Sequence, residues 1–143
     1  MSESHVSPRF EQVKVGDALP ELAVPLTASL IVAGALASRD YTPVHHDKTA
    51  AQKTGMQDVF MNILTTNGYV GRFVTDWAGR DAVIRRVAIR LGTPNLPGDT
   101  MKMTGTVSEK NEAARTLVVD VVGKNAWGAH VTGKVTVALA GRA

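Results

Sequence analysis

Apolar and polar residues alternate with a period of two through the second half of the chain, a pattern typical of strands that bury one face. Met101 and Met103, for example, alternate with Lys102 and Thr104. Strands are predicted over 83–91, 101–108, 117–121 and 131–139. The segments between them, 93–98, 110–114 and 125–128, are short enough to join antiparallel neighbours.

Two residues need an explanation beyond this alternation. Arg85 falls on the apolar side of the first strand, where its charge requires a β-bulge, a partner carboxylate or a contact with another subunit. His130 falls on the polar side of the last strand. We therefore expect His130 on the polar face of the sheet.

Two short helices and one extended segment are predicted before residue 60. Residues 21–26 lie between two prolines and form an edge strand at best. Thr27 or Ser29 is expected to cap the helix that follows, and Asp47 to cap a second helix over 48–53.

The longest helix is predicted over 62–77, where apolar residues recur at helical spacing. Gly68 and Gly71 each cost about 1 kcal/mol relative to alanine in a helix interior, so close packing has to hold this segment. One face of an antiparallel sheet must be covered, and this is the only long apolar helix available. The sequence therefore predicts an α+β fold, with an antiparallel sheet wrapped round one central helix. The apolar positions of that helix are Ile63, Val70, Phe73, Val74 and Trp77.

The composition is that of an ordinary globular protein. The 143 residues suit one domain with a substantial core. The chain is not disordered in composition, because 44% of its residues are hydrophobic and only 20% are charged. Residues 1–12 are interpreted as a flexible tail and 13–143 as the domain. The absence of cysteine excludes disulfides and thiolate catalysis, and agrees with the reducing cytoplasm as the expected location.

The charge pattern narrows the possible partners. The net charge of +3 is scattered, without a run of lysine or arginine, which argues against nucleic-acid binding but suits a small anionic ligand. The longest weakly polar run, 26–38, is too short and too polar to span a membrane as a helix. Glu3, Glu11 and Asp17 lie where the apolar part of a signal peptide would fall, so none is expected.

The residues that could perform chemistry meet in the loop 40–45. Pro43 bends this loop, so that the carboxyl group of Asp40 and the imidazole of His45 can face each other. The central helix begins shortly afterwards, near Asn62, and the free N–H groups of a helix N-terminus can receive developing negative charge. An acid, an imidazole and such an N-terminus together offer proton transfer and the stabilisation of developing negative charge.

Simpler interpretations of the same residues stay open. An aspartate and a histidine that lie close together on a loop more often belong to an ordinary turn with a surface histidine than to a catalytic site. His45, His46 and Asp47 could suggest a metal site, but adjacent histidines do not easily converge on one ion and no cysteine completes a ligand set. We expect neither a metal nor a bound cofactor.

The order of these features resembles a known family. The Asp-x-x-Pro-x-His loop before a buried helix, with the turn Pro97-Gly98-Asp99 between strands, resembles the MaoC-like branch of the hot-dog fold, the R-specific enoyl-CoA hydratases. The resemblance covers roughly 15–139. More narrowly, the chain is similar to the small single-hot-dog subunit of heteromeric actinobacterial hydratases of steroid side-chain degradation, over 39–47, 59–64, 74–79 and 84–92.

The resemblance implies a role for particular residues. In such hydratases an aspartate and a histidine bind the water that adds across the C2–C3 double bond of an acyl-CoA, and Asp40 and His45 match them. The oxyanion donor is the backbone amide of a glycine that begins the buried helix, and Asn62 takes that position. The chain departs from the usual motif at two places, where Thr42 replaces an asparagine and Met61-Asn62 replaces His-Gly.

The resemblance also implies an acyl-CoA substrate and a second chain. Arg86 and Arg90, on the outer face of a strand, could meet the CoA phosphates, and Asn67 could be a pocket contact, although a solvated surface explains all three. An exposed sheet edge requires at least a homodimer, or a heteromer with a larger MaoC-like chain. The uninterrupted strand 131–139 is a candidate for the contact.

Two rival functions and one question about the acyl group remain. A hot-dog thioesterase would use Asp40 to activate water against the thioester carbonyl. A non-catalytic half of a mixed assembly would bind acyl-CoA without chemistry, but such a half is expected to lose the aspartate or the histidine. Gly68 and Gly71 leave room for a bulky polycyclic acyl group if they line the pocket, or else only seat the helix against the sheet.

Overall fold

The computed structural model describes residues 7–139. It contains a five-stranded antiparallel sheet with the strand order β1-β3-β4-β5-β2, and a long helix that packs against one face of it. The predicted α+β hot-dog architecture is thereby confirmed. The elements in chain order are β1 (Leu22–Pro25), α1 (Ala28–Ala37), α2 (Lys48–Lys53), α3 (Ile63–Ala78), β2 (Val83–Leu91), β3 (Thr100–Asn111), β4 (Thr116–Asn125) and β5 (Gly128–Ala138), with single 3-10 turns at Phe10–Gln12 and Pro43–His45.

Side-chain caps begin the three α-helices. The side chains of Thr27, Asp47 and Asn62 each accept a hydrogen bond from the backbone N–H three residues further on, at 3.0, 3.1 and 3.0 Å respectively. These bonds satisfy donors that the first turn of a helix leaves without a partner. The cap predicted at Asp47 is confirmed, and of the two candidates for α1, Thr27 and Ser29, the cap is Thr27. These caps place α1 and α2 on either side of the loop 40–45.

The central helix α3 packs on the sheet through a stripe of apolar side chains. Val70, Phe73 and Val74 are at most 2% exposed. Gly105 of β3 makes room for the helix, because a methyl group there would collide with the Phe73 ring. Ile63, which the helical spacing placed on the buried face, is 51% exposed in the first turn, so the buried stripe begins later than predicted.

The order of the strands differs from the expectation. β2 and β3 follow each other in the chain, but β2 pairs with β5, whereas β3 pairs with β1 and β4. The strand 131–139 therefore lies inside the sheet, as part of β5, and is not available as an edge contact. Alternation of apolar and polar residues reports which face of a strand is buried, and it does not report which strands are neighbours.

A β-bulge explains Arg85. The pairing register of β2 with β5 shifts between Ile84 and Arg86, so that Arg85 is the extra residue and points to solvent. Ile84 and Val87 then both pack against the core. The bulge also turns Val83 outward, where it is 47% exposed, although the alternation placed it on the buried face.

A second register shift corrects the expectation for His130. The pairing of β4 with β5 shifts between Gly123 and Lys124, and His130 is left out of the pairing on the β5 side. Both His130 and Val131 are therefore buried, at 2% and 1% exposed. His130 lies inside the protein and not on the polar face of the sheet.

Part of the predicted tail is packed against the domain. Residues 1–6 of that tail, like residues 140–143 of the predicted domain, lie outside the described residues. Phe10, however, is fully buried, and the charged ends of Lys110 and Arg115 lie 4.6 and 4.7 Å from its ring centre. The packed part of the chain thus begins before residue 13. The Phe10 ring is buried in the core, and cation–π contacts with Lys110 and Arg115 hold it there. Among residues 7–139, no helix is long and apolar enough to cross a membrane.

Candidate active site

The end of α1 fixes the backbone at Asp40. The N–H of Asp40 donates to the carbonyl of Ala35 at 2.9 Å, and the N–H of Arg39 donates to the carbonyl of Leu36 at 3.0 Å. These are the two hydrogen bonds of a Schellman motif, in which the residue after the cap takes a left-handed conformation. Arg39 occupies that position with φ 58°. Asp40 thus leaves the helix at a defined point and angle.

The bent loop then brings His45 back towards Asp40. Pro43 begins a single 3-10 turn that ends at His45, whose ring is buried edge-on against the ring of Phe60. Nδ1 of His45 lies 2.6 Å from the carbonyl oxygen of Phe60. Because a carbonyl oxygen can only accept, Nδ1 carries the hydrogen, and Nε2 is the nitrogen that remains available in the neutral ring.

Asp40 and His45 face each other as the bent loop led us to expect. Nε2 of His45 lies 3.3 Å from Oδ2 of Asp40, and the two side chains are 10% and 23% exposed. The pair is therefore open to solvent on one side and held by protein on the others. This arrangement can bind a water molecule and exchange a proton with it.

Asn62 joins this pair through its side chain. It is 2% exposed, and its Nδ2 donates to Oδ2 of Asp40 at 3.1 Å and to Oγ of Ser38 at 2.9 Å. No acceptor among residues 7–139 takes the backbone N–H of Asn62, and its predicted role as an oxyanion donor stays a prediction. Sequence reasoning missed the contacts of Ser38 and of the Asn62 side chain, and the one signal for them was an asparagine where the family motif has glycine.

Hydrogen bonds lower the pKa of Asp40. The largest contribution comes from the side chain of Thr42, followed by the side chain of Asn62 and the backbone N–H of Thr42, and the nearby His45 adds to them. The Thr42 N–H lies 3.2 Å from Oδ1 of Asp40. Donors of this kind favour the charged form. Asp40 is thus a carboxylate at neutral pH.

The other predicted contacts lie apart from this pair. Asn67 is exposed on α3, and Arg86 and Arg90 are exposed on the face of β2 opposite its core side chains. Among residues 7–139, no hydrogen bond or ion pair joins them to Asp40 or His45. Their roles in binding stay predictions. The same part of the chain contains no group of three or more histidine or acidic side chains that could hold a metal ion.

A groove of about 440 Å³ lies between α1 and α3, and Ser38 is one of the residues that line it. A methyl group added to Gly68 would meet nothing within 4 Å, so this glycine opens onto the groove. Gly71 does not line it. A methyl group at Gly71 would make an ordinary van der Waals contact with Ile84 of β2, at 3.8 Å, so Gly68 borders an open space and Gly71 faces the sheet without a close approach that requires glycine. The lining residues are Gly34, Ala37, Ser38, Thr65, Gly68, Tyr69 and Arg72.

This chain is similar in sequence to a known family and to a known protein. A family model described as "MaoC like domain" matches residues 11–128. The 3-oxo-4,17-pregnadiene-20-carboxyl-CoA hydratase beta subunit of Mycobacterium tuberculosis is 45% identical over 125 residues, which make up 87% of this chain and 95% of that protein.

Solved structures agree with these sequence matches. A chain of the ChsH1-ChsH2 complex from Mycobacterium tuberculosis has a TM-score of 0.88 and 43% identity, covering 90% of this chain and 100% of its own. The (R)-hydratase from A. caviae involved in PHA biosynthesis has a TM-score of 0.83 at 19% identity, covering 91% of this chain and 99% of its own. The second similarity is one of fold.

Proposed function

Because this chain belongs to the MaoC-like domain family, we propose that it is an enoyl-CoA hydratase that adds water across the C2–C3 double bond of an acyl-CoA thioester. The observation that carries the proposal is the contact between Asp40 and His45, 3.3 Å apart beside the N-terminus of α3. It supplies a site for one water, a proton acceptor and a donor for an enolate oxygen.

In the proposed reaction, one water binds between the Asp40 carboxylate and Nε2 of His45. Its oxygen bonds to C3 while the pair takes up its proton, and the electrons of the double bond move onto the thioester oxygen. The free N–H of Asn62, at the positive end of the α3 dipole, stabilises the negative charge on that oxygen. The proton then passes from the pair to C2, and the thioester carbonyl forms again.

This chain is proposed as the catalytic member of any pair that it forms. A subunit that only bound acyl-CoA would have no need for a buried imidazole aligned on a carboxylate. Here the Phe60 carbonyl orients His45, and Thr42 and Asn62 hold Asp40. Both side chains are thus present and positioned, which favours chemistry over simple binding.

A bulky polycyclic acyl group is the proposed substrate, of the kind named for the Mycobacterium tuberculosis relative. The groove between α1 and α3 supports this, because Gly68 lines it together with Ser38, which accepts a hydrogen bond from Asn62. Side chains at these positions are mostly small, so an extended apolar group can lie along the helices. A short linear acyl group would leave most of that surface exposed.

A second hot-dog chain is proposed to pair with the β2 edge of the sheet. β2 runs over nine residues with a neighbour on one side only, and Val83 and Leu91 at its ends are 47% and 37% exposed. The opposite edge, β1, has four residues and ends in Pro25. Arg86 and Arg90 would then lie beside the junction, where we place the CoA phosphates.

Replacing the two catalytic side chains tests the proposal. Asp40→Asn and His45→Gln should each reduce hydration of an enoyl-CoA about 10²- to 10⁴-fold, because each removes a partner in proton transfer. His46→Gln is the matched control, since His46 is adjacent but exposed, and it should keep most of the activity. Hydration removes the conjugation between the double bond and the thioester, so the loss of the ultraviolet absorbance of the enoyl thioester follows the reaction. Full turnover in both folded variants would contradict the proposal.

A further inference from the structure

The oxygen and the nitrogen of the Asn62 side-chain amide bind different partners. Its Oδ1 accepts the N–H of Thr65 at 3.0 Å, which is all that capping α3 requires. Its Nδ2 lies 3.1 Å from Oδ2 of Asp40 and 2.9 Å from Oγ of Ser38. Because only an oxygen can meet the Thr65 N–H, the amide has one acceptable orientation, and its nitrogen must face Asp40.

The Asp40 carboxylate is held at both of its oxygens. Oδ1 accepts the backbone N–H of Thr42 at 3.2 Å. Oδ2 accepts from Nδ2 of Asn62 and faces Nε2 of His45 at 3.3 Å. Rotation of the carboxylate about its Cβ–Cγ bond would break these contacts. Without Asn62, Oδ2 would lose its amide donor, and Thr42 would remain as the hydrogen-bond donor to the carboxylate.

We propose that the Asn62 side chain is a positioning residue that fixes the Asp40 carboxylate in its reactive orientation, separately from the oxyanion role of its backbone N–H. The inference rests on the proposed hydration, in which Asp40 and His45 share one water. Serine, threonine or aspartate would also cap a helix. Among the residue types favoured at a helix N-cap, asparagine is the one that supplies both an oxygen for the cap and an N–H donor for a carboxylate.

The contact between Asn62 and Asp40 can be measured through the pKa of Asp40, because few other titratable groups lie near it. His45 is the titratable side chain in contact with it, whereas residues 28–38 and 63–68, which pack beside it, carry no ionisable group. Loss of the Asn62 donor should therefore raise the pKa of Asp40, because the charged form loses a hydrogen bond. The remaining titratable or charged groups of the surrounding loops are Arg39, Tyr41, His46, Asp47 and the paired Lys48 and Asp58.

Two substitutions separate positioning from capping. Asn62→Ser and Asn62→Asp both keep an oxygen that can cap α3. Serine lacks the amide N–H that reaches Asp40 and has only a shorter hydroxyl, and aspartate replaces the amide with a negative charge. In Asn62→Ser, kcat for hydration should fall about 10- to 100-fold. The acidic limb of the pH profile of kcat/KM should move to higher pH, and further in Asn62→Asp than in Asn62→Ser.

Thr27→Ala is the matched control for a lost cap. It removes the cap of α1, at a cost of about 1 kcal/mol in stability, and Thr27 makes no hydrogen bond to Asp40. The control should lower the melting temperature and leave both kcat and the acidic limb unchanged. Wild-type kcat with an unshifted limb in Asn62→Ser, or the same shift in Thr27→Ala, would overturn the inference.

A substrate-free measurement distinguishes failure of this inference from failure of the proposed function. Carbon NMR can follow the titration of the Asp40 carboxyl group in the wild-type protein and in Asn62→Ser. A higher midpoint in the variant supports positioning by Asn62 even if no enoyl-CoA is hydrated, in which case only the proposed function fails. An unchanged midpoint overturns the inference whatever the activity.

Discussion

His130 is a buried histidine whose charge state should affect stability. Nδ1 donates to the carbonyl of Thr93 at 2.7 Å, which leaves Nε2 to accept from the Thr66 hydroxyl at 2.8 Å. Burial lowers the pKa of His130 from its ordinary 6.5, and the bond to Thr93 opposes that effect only in part. The folded protein therefore favours the neutral ring.

The sign of the pH effect follows from this. Below about pH 6.5 the unfolded chain takes up a proton at His130 before the folded chain does, so the free energy of unfolding falls as the pH drops towards the lower folded pKa. Above that range the contribution is complete. The free energy of unfolding can be measured in urea at about pH 7.5 and about pH 5, for the wild-type protein and for His130→Gln. Its decrease from the higher to the lower pH should be smaller in His130→Gln than in the wild-type protein. Equal losses would contradict this account of the buried ring.

At the candidate site, the sequence could identify the acid and the imidazole that face each other but not the groups that hold them. Asp40 and His45 were predictable because Pro43 bends the loop between them and the motif is local. The Asn62 side chain was not, because its contact with Asp40 joins residues from the ends of two helices that are distant in sequence. The predicted backbone role of Asn62 concerns a different atom of the same residue, and it stays a prediction.

Among the elements, the contact between α1 and α3 depends on one glycine more than on another. A methyl group added to Gly34 would collide with the side chain of Thr65, whereas one added to Gly68 would meet nothing within 4 Å. Both lie in helices, so alanine brings the same gain in helix propensity at each, about 1 kcal/mol. The difference between the two variants thus isolates the steric cost.

Gly68→Ala should accordingly stabilise the protein and Gly34→Ala should not. Since crowding of a packed contact costs about 1–3 kcal/mol, the two free energies of unfolding should differ by that amount in urea titrations. A Gly34→Ala variant as stable as Gly68→Ala would show that the helices can separate without cost. The account of the α1 and α3 contact would then be wrong.

Helices and strands were more predictable than their arrangement. The caps at Thr27 and Asp47 and the alternation in β3 are local signals, and they gave helix and strand positions close to those observed. The order of the strands depends on long-range pairing, which local periodicity does not report. The bulges at Arg85 and His130 are single-residue insertions into that pairing, so a strict period of two placed Val83 and His130 on the wrong face.

At the scale of the whole molecule, the free edge of β2 makes a prediction about assembly. An unpaired strand of nine residues is a template for pairing with another chain, and the solved relative is part of a two-component complex. Sedimentation velocity at micromolar concentration should therefore give a dimer or a larger species for the isolated chain, or a mixed species with a co-expressed MaoC-like partner. A monomer that hydrates short linear enoyl-CoA as fast as a polycyclic one would contradict both the assembly and the acyl group proposed.

The fate of the water oxygen tests the central claim most directly. The protein, with any partner that co-purifies, is incubated with a polycyclic enoyl-CoA in heavy-oxygen water, and the products are analysed by mass spectrometry. Hydration by Asp40 and His45 predicts an intact CoA thioester with one heavy oxygen in a hydroxyl group at C3, and almost none of it from Asp40→Asn. Heavy oxygen in a free carboxylate with release of CoA, or bound substrate recovered without label, would contradict the account.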